Sequence, residues 1–207
     1  MGHTLLCVLD LFLFSTLLYG HTEGSMKPSV ILEEGWTEIF SGEKITLRCD
    51  IQGAEGTQWM YEWRRDELDL HSIYSESITI TESNSVEHRC RGRSNELTTE
   101  WSEALRLTVS ADKPVASLRA DKTVIPAGGS VTLTCSVDVS SGWKYYWNRR
   151  TSESSEAQII KSEASSKTVS VSEGGIYQCR GGRGGRGGDQ VYYTEYSAAV
   201  TVEKRGE

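Results

Sequence analysis

Gly129-Ser130-Val131-Thr132-Leu133-Thr134-Cys135, then Trp143-Lys144-Tyr145-Tyr146-Trp147, then Gly174-Gly175-Ile176-Tyr177-Gln178-Cys179 are the three segments that decide the fold. The first alternates apolar and polar residues up to a cysteine, the period of a strand with one buried face. The second places Trp, Tyr and Trp at i, i+2 and i+4, so three aromatic rings project from one side of a strand. Cys135 and Cys179 lie 44 residues apart, and Trp147 follows the first of them by 12. That spacing is expected when one disulfide joins two β-sheets across a buried indole.

The same order occurs once before. Gly42-Glu43-Lys44-Ile45-Thr46-Leu47-Arg48-Cys49 leads to Trp59-Met60-Tyr61-Glu62-Trp63 and on to Cys90, with a cysteine spacing of 41 and a cysteine-to-tryptophan gap of 14. Each copy then carries a Ser/Thr-rich edge, Ile78-Thr79-Ile80 or Thr168-Val169-Ser170-Val171. Each ends in an alternating strand, Ala104-Leu105-Arg106-Leu107-Thr108-Val109 or Ala198-Ala199-Val200-Thr201-Val202. Short strands at this spacing, with turn residues between them and no long helical period, predict antiparallel sandwiches. The chain therefore reads as all-β, with two domains at 25–110 and 114–204. Asp112-Lys113-Pro114 is so short a connection that it predicts a fixed elbow. Each bracket closes a loop of about 40 residues, which is worth about 4 kcal/mol by chain entropy. Against a domain stability of about 5–15 kcal/mol, reducing either bond is expected to unfold most of its domain.

Residues 1–20 stand apart. Leu5 to Leu18 is almost wholly apolar, charged only at Asp10, and too short to span a bilayer, which fits a secretory h-region with cleavage near Gly20. An uncleaved anchor is the alternative, since the first residues lack Lys and Arg. With Cys7 removed, four cysteines remain for an oxidising compartment. No later stretch is apolar enough to cross a membrane, and the end, Glu203-Lys204-Arg205-Gly206-Glu207, reads as neither anchor signal nor signalling tail. The expectation is a secreted, extracellular product, with a cell-surface location if a longer membrane-bound form exists. The formal charge of −7 is uneven: residues 22–110 carry 17 acidic and 9 basic side chains, and residues 111–207 carry 11 and 13. Such asymmetry bears on partner choice and encounter rate.

Catalytic chemistry finds no footing. His21, His71 and His88 lie in unrelated settings, no Gly-x-Ser-x-Gly occurs, and cysteines paired in each half leave no thiolate for zinc. The reading is of a non-enzyme without metal or cofactor. Asn84, Asn95 and Asn148 all miss the N-glycosylation motif. Arg180-Gly181-Gly182-Arg183-Gly184-Gly185-Arg186-Gly187-Gly188 looks, in isolation, like an RNA-binding repeat. Its place directly after the last cysteine of a secreted sandwich argues instead for a hairpin turn rich in φ > 0 glycine, so no nucleic acid is expected. A solvated loop and a charged contact loop for a protein both remain open.

On these residues the two halves resemble immunoglobulin-superfamily domains. The pair resembles the extracellular part of a short Fc receptor or Fc-receptor-like protein, most like those of bony fishes. The resemblance covers residues from about 25 to 204 and rests on the Tyr-x-Trp cores, the short elbow and the Ser102-Glu103-Ala104-Leu105-Arg106-Leu107-Thr108-Val109 ending. It implies tandem immunoglobulin-like sandwiches with Trp63 and Trp147 in the cores. Tyr177, two residues before Cys179, would tie the turn entering its strand to backbone. Domain 1 departs here, with His88 in that place and a weaker corner expected.

The resemblance also implies a protein ligand, immunoglobulin Fc first, held by loops of domain 2 near the elbow. The expected contacts are Trp143, Lys144, Arg180, Arg183 and Arg186, with Lys144, Arg183 and Arg186 forming a basic patch that adds to the on-rate. Trp143 has two readings, a ligand contact or packing shared with Trp59, its counterpart in domain 1. The elbow itself, Ser110 to Val115, has no tryptophan to complete an Fc-receptor proline clasp. A soluble product would act as decoy or carrier. Another cell-surface protein as ligand, and a homophilic structural module, are the alternative functions, with a monomer or weak self-association expected.

Overall fold

The computed structural model describes residues 26–205, apart from 54, 55, 57, 71, 72, 154, 155, 161–165 and 185–190. The leader expected at 1–20 lies outside the described residues, as do His71 and Arg186.

Domain 1 contains β1 (Ser29–Leu32), β2 (Glu38–Phe40), β3 (Lys44–Asp50), β4 (Met60–Arg65), β5 (Leu68–Asp69), β6 (Ser77–Thr81), β7 (Val86–Arg93) and β8 (Leu105–Ser110). They form a sheet β1-β3-β6 facing a sheet β2-β8-β7-β4-β5, antiparallel throughout except where β2 runs parallel to β8. Domain 2 repeats the plan with β9 (Ser117–Ala120), β10 (Val124–Ile125), β11 (Val131–Ser136), β12 (Lys144–Arg150), β13 (Gln158–Ile160), β14 (Thr168–Val171), β15 (Gly175–Gly184), β16 (Val191–Tyr193) and β17 (Val200–Lys204). Here β14-β11-β9 faces β10-β17-β15-β12-β13, with β16 paired to the far end of β15. The architecture is all-β, two tandem immunoglobulin-like sandwiches.

Alternation fixes which side of each strand is buried. Ile45, Leu47 and Cys49 of β3 point inward, as do Val131, Leu133 and Cys135 of β11. Disulfides Cys49–Cys90 and Cys135–Cys179 cross from one sheet to the other, with Trp63 and Trp147 buried beside them. The i, i+2, i+4 aromatics do share a face: Trp59, Tyr61 and Trp63 pack on one core, and Trp143, Tyr145 and Trp147 on the other. A glycine two residues after each second cysteine makes room for the outer tryptophan. A Cβ on Gly92 would lie 2.8 Å from Trp59, and one on Gly181 would lie 3.0 Å from Trp143.

A second repeated device escaped the sequence reading. Thr99-Glu100-Trp101-Ser102 and Thr194-Glu195-Tyr196-Ser197 approach the final strand of each domain without joining the regular ladder. Their hydroxyls replace part of it: Thr99 Oγ1 accepts from Gly92 N and Ser102 Oγ from Cys90 N, both at 3.0 Å. Thr194 Oγ1 and Ser197 Oγ do the same for Gly181 N and Cys179 N at 3.0 and 3.1 Å. Side-chain oxygens thus satisfy backbone donors that would otherwise be buried alone.

The corners before the second cysteines differ. Tyr177 donates its hydroxyl to the Glu173 carbonyl at 2.5 Å. His88, fully buried, instead places Nε2 3.2 Å from Glu82 Oε1, and Glu82 is held by Arg65 at 2.7 Å. Burial holds the His88 imidazole below the ordinary histidine value of about 6.5, outweighing the opposing pull of Glu82. The unfolded chain therefore binds the proton more readily, so this contribution to stability is complete above about pH 6.5 and shrinks as pH falls below it. Calorimetry should show domain 1 losing melting temperature between neutral pH and about pH 5, and His88→Gln should flatten that loss. Equal slopes for native chain and variant would remove His88 as the cause.

Candidate functional site

Arg183, near the end of β15, does not face solvent. Its side chain is 0% exposed and reaches across the elbow into domain 1. There Nε donates to Glu43 Oε1 and Nη2 to Glu43 Oε2, both at 2.7 Å. The remaining donors go to the Glu38 carbonyl (3.0 Å), Ser140 Oγ (2.7 Å) and the Ser141 carbonyl (3.0 Å). Glu43 also accepts from Phe40 N at 3.1 Å. Aromatic rings enclose the guanidinium: Trp143 lies 4.4 Å away, Trp36 5.0 Å and Phe40 5.1 Å. Tyr192 extends the stack on Phe40, with ring centroids 5.9 Å apart, and burial holds its hydroxyl above the ordinary phenol range.

Local conformation makes this approach feasible. Gly42 and Gly142 have φ of +83° and +81°, and a Cβ at Gly142 would sit 2.4 Å from the Trp36 ring. The linker is fastened as well. Glu195 donates its backbone N–H to the Pro114 carbonyl, accepts from Ala116 N, and pairs its carboxylate with Lys113 at 2.8 Å.

Arg183 was expected in an exposed patch with Lys144 and Arg186, and the structure corrects this: its charge is consumed inside the junction. Arg186 lies outside the described residues. Lys144 is exposed at the start of β12. Trp143 is half-buried, donates Nε1–H to the Val139 carbonyl at 2.9 Å and packs on both the domain 2 core and Arg183. Its indole serves packing and the junction together. No tryptophan stands in the elbow segment, but Trp36, far from it in sequence, comes to the junction from domain 1.

Arg180 emerges on the outer face of the same sheet. Its guanidinium lies 3.7 Å from the Tyr193 ring and 4.9 Å from Tyr196. Tyr146, opposite Arg180 in the β12–β15 register, meets Tyr193 edge-on at 5.2 Å. Gly182 lies beneath that pair: a Cβ there would lie within 2.9 Å of both rings. Domain 1 has a parallel arrangement, with Trp101 between Arg64 and Arg91 at 4.3 and 4.5 Å. The sequence reading missed these tyrosines, although the repeated Thr-Glu-aromatic-Ser segment was available as a signal.

Residues 113–203 match the family model described as immunoglobulin domain. The chain is 25% identical over 185 residues to the high affinity immunoglobulin epsilon receptor subunit alpha of Mus musculus, covering 85% of this chain and 67% of that protein. It is 30% identical over 176 residues to the low affinity immunoglobulin gamma Fc region receptor III-A of Sus scrofa, covering 78% and 61%. The chain is an immunoglobulin-domain protein similar to Fc receptors. Human Fc receptor-like protein 4 is 26% identical over 141 residues, or 62% of this chain and 24% of that protein. The chain thus spans about two thirds or less of these relatives. Among solved structures, three N-terminal domains of the bacteriophage RB49 Hoc protein match at a TM-score of 0.47 and 12% identity, covering 86% of this chain and 59% of that one. A marsupial T cell receptor matches at 0.44 and 14%, covering 86% and 73%. The immunoglobulin-domain match and the Fc receptor relatives place the chain among receptor-type binding proteins, not enzymes. Among the described residues no helix is long and apolar enough to cross a membrane.

A buried ion pair gains little over apolar packing, yet removing one partner strands the other charge at a cost of about 3–5 kcal/mol. Arg183→Met should therefore lower unfolding free energy by that amount in denaturant titration. The double variant Arg183→Met, Glu43→Met should recover most of it. A double variant as unstable as the single one would show that the pair itself carries the energy.

Proposed function

We propose that this chain is the ligand-binding ectodomain of an immune-type receptor, and that its ligand is a protein, immunoglobulin Fc. The observation that carries this reading is the face built by Tyr146, Tyr193, Tyr196 and Arg180, with Lys144 at its edge. Tyr146 and Tyr196 are 36% and 40% exposed, large rings held in place by neighbours and open to solvent. Tyrosine and arginine are the residue types in which interface energy concentrates, and rings already ordered lose little entropy on binding. The relatives named as immunoglobulin receptors supply the ligand class. The bony-fish affinity rests on sequence resemblance alone. Trp143 contributes by holding the junction behind this face, and Arg183 by the same route. A secreted form would act as decoy or carrier, and a form anchored at the cell surface would present the same face.

Surface plasmon resonance of the chain against immunoglobulin from the source animal tests this reading. Tyr146→Ala and Tyr196→Ala should each weaken binding by about tenfold or more, the usual range for an interface anchor. Absence of binding by the native chain removes Fc as the ligand. Full binding by both variants removes this face.

A further inference from the structure

Between the two sandwiches, next to the tyrosine face, opens a cleft of about 300 Å³. Lys44 of domain 1, Lys113 of the linker and Arg180 of domain 2 line it, together with Tyr192 and Tyr193. Among the described residues no Asp or Glu lines it. Two carboxylates that act on the lining residue Tyr192 are already engaged: Glu43 by Arg183, and Glu195 by Lys113. Among the described residues Lys44 and Arg180 have no acidic partner, and Arg180 Nε is buried without a hydrogen-bond partner. Three cations therefore converge on one concavity of a chain whose net charge is −7. A cleft of one sign with low-dielectric walls focuses its field, and a guanidinium with unused donors is the preferred partner for a planar oxyanion.

We propose that this cleft is an anion-accepting subsite that receives a Glu or Asp side chain of the bound protein. The proposal rests on the reading of the ligand as a protein. Continuity argues for that source: Arg180 and Tyr193 belong both to the cleft and to the outer tyrosine face. A protein seated on the face lies directly over the opening. At about 300 Å³ the cleft is at the small end of ligand pockets, suited to one side-chain head and its waters. It is also composite. Neither domain holds all three cations, so the subsite exists only while the junction sets the domains together.

The probe is poly-L-glutamate, titrated calorimetrically into the intact chain at low ionic strength, with heparin in a parallel titration. The native chain should bind poly-L-glutamate, and salt should weaken that binding. Lys44→Glu with Lys113→Gln should weaken it at least tenfold while leaving the circular dichroism spectrum unchanged and lowering the melting temperature by no more than the loss of one exposed ion pair, Lys113–Glu195, does. Absence of poly-L-glutamate binding, or equal binding by the double variant, overturns the proposal. Binding of heparin with no binding of poly-L-glutamate also overturns it, in favour of a sulfated glycan. Because immunoglobulin takes no part, a failed Fc reading and a failed subsite give different results.

Discussion

One guanidinium holds the two halves of this molecule at a fixed angle. Arginine carries five N–H donors in a planar fork, and at Arg183 all five have acceptors: two on Glu43 and one each on the Glu38 carbonyl, Ser140 and the Ser141 carbonyl. Glu38 and Glu43 belong to domain 1, and Ser140, Ser141 and Arg183 to domain 2. A lysine could not reproduce the arrangement, because a compact ammonium has neither the second prong nor the flat faces that lie among Trp36, Phe40 and Trp143. Desolvation makes such a pair a poor source of net stability. Its value here is geometric, since any other angle between the domains would leave buried charges and donors without partners.

The consequences extend outward from that pair. With the junction closed, β15 and β16 are held at the elbow, so Arg180, Tyr193 and Tyr146 present one continuous surface. The linker adds its own constraint through the backbone pairing of Glu195 with Pro114 and Ala116. Contacts between domains within a chain are more often small and mobile. This one combines a fully satisfied charge with four aromatic rings, which favours a single rigid body over a hinge. The acidic surplus of domain 1 and the cations gathered around the elbow then give the surface different signs in different places.

Much of the fold was legible because its determinants repeat at local spacing. The cysteine brackets, Trp63 and Trp147, and the inward alternation of β3 and β11 all lie within strands whose period reveals their buried side. The glycine-rich segment after Cys179 reads as a turn, but its first residues, Arg180 to Gly184, continue strand β15, and residues 185–190 lie outside the described residues. The role of Arg183 was not, because its partner Glu43 lies 140 residues away and no periodicity links them. An arginine among glycines reads as solvated unless the opposing surface is known. Trp36 and Phe40 were silent for the same reason. His88 was legible as a departure from the tyrosine corner, whereas its pairing with Glu82 and Arg65 needed the fold. The Thr-Glu-aromatic-Ser segments were legible in principle: two copies at equivalent places in a repeat point to a shared structural task.

Whether Arg183 and Glu43 make the two sandwiches one body is most directly tested by ¹⁵N relaxation of backbone amides in solution. A single rotational diffusion tensor should describe amides of β3 and β7 together with those of β11 and β15, with a correlation time set by the whole chain. Two separate tensors, each with the shorter correlation time of a lone domain, would contradict a locked junction and remove the basis for a ligand surface that spans it.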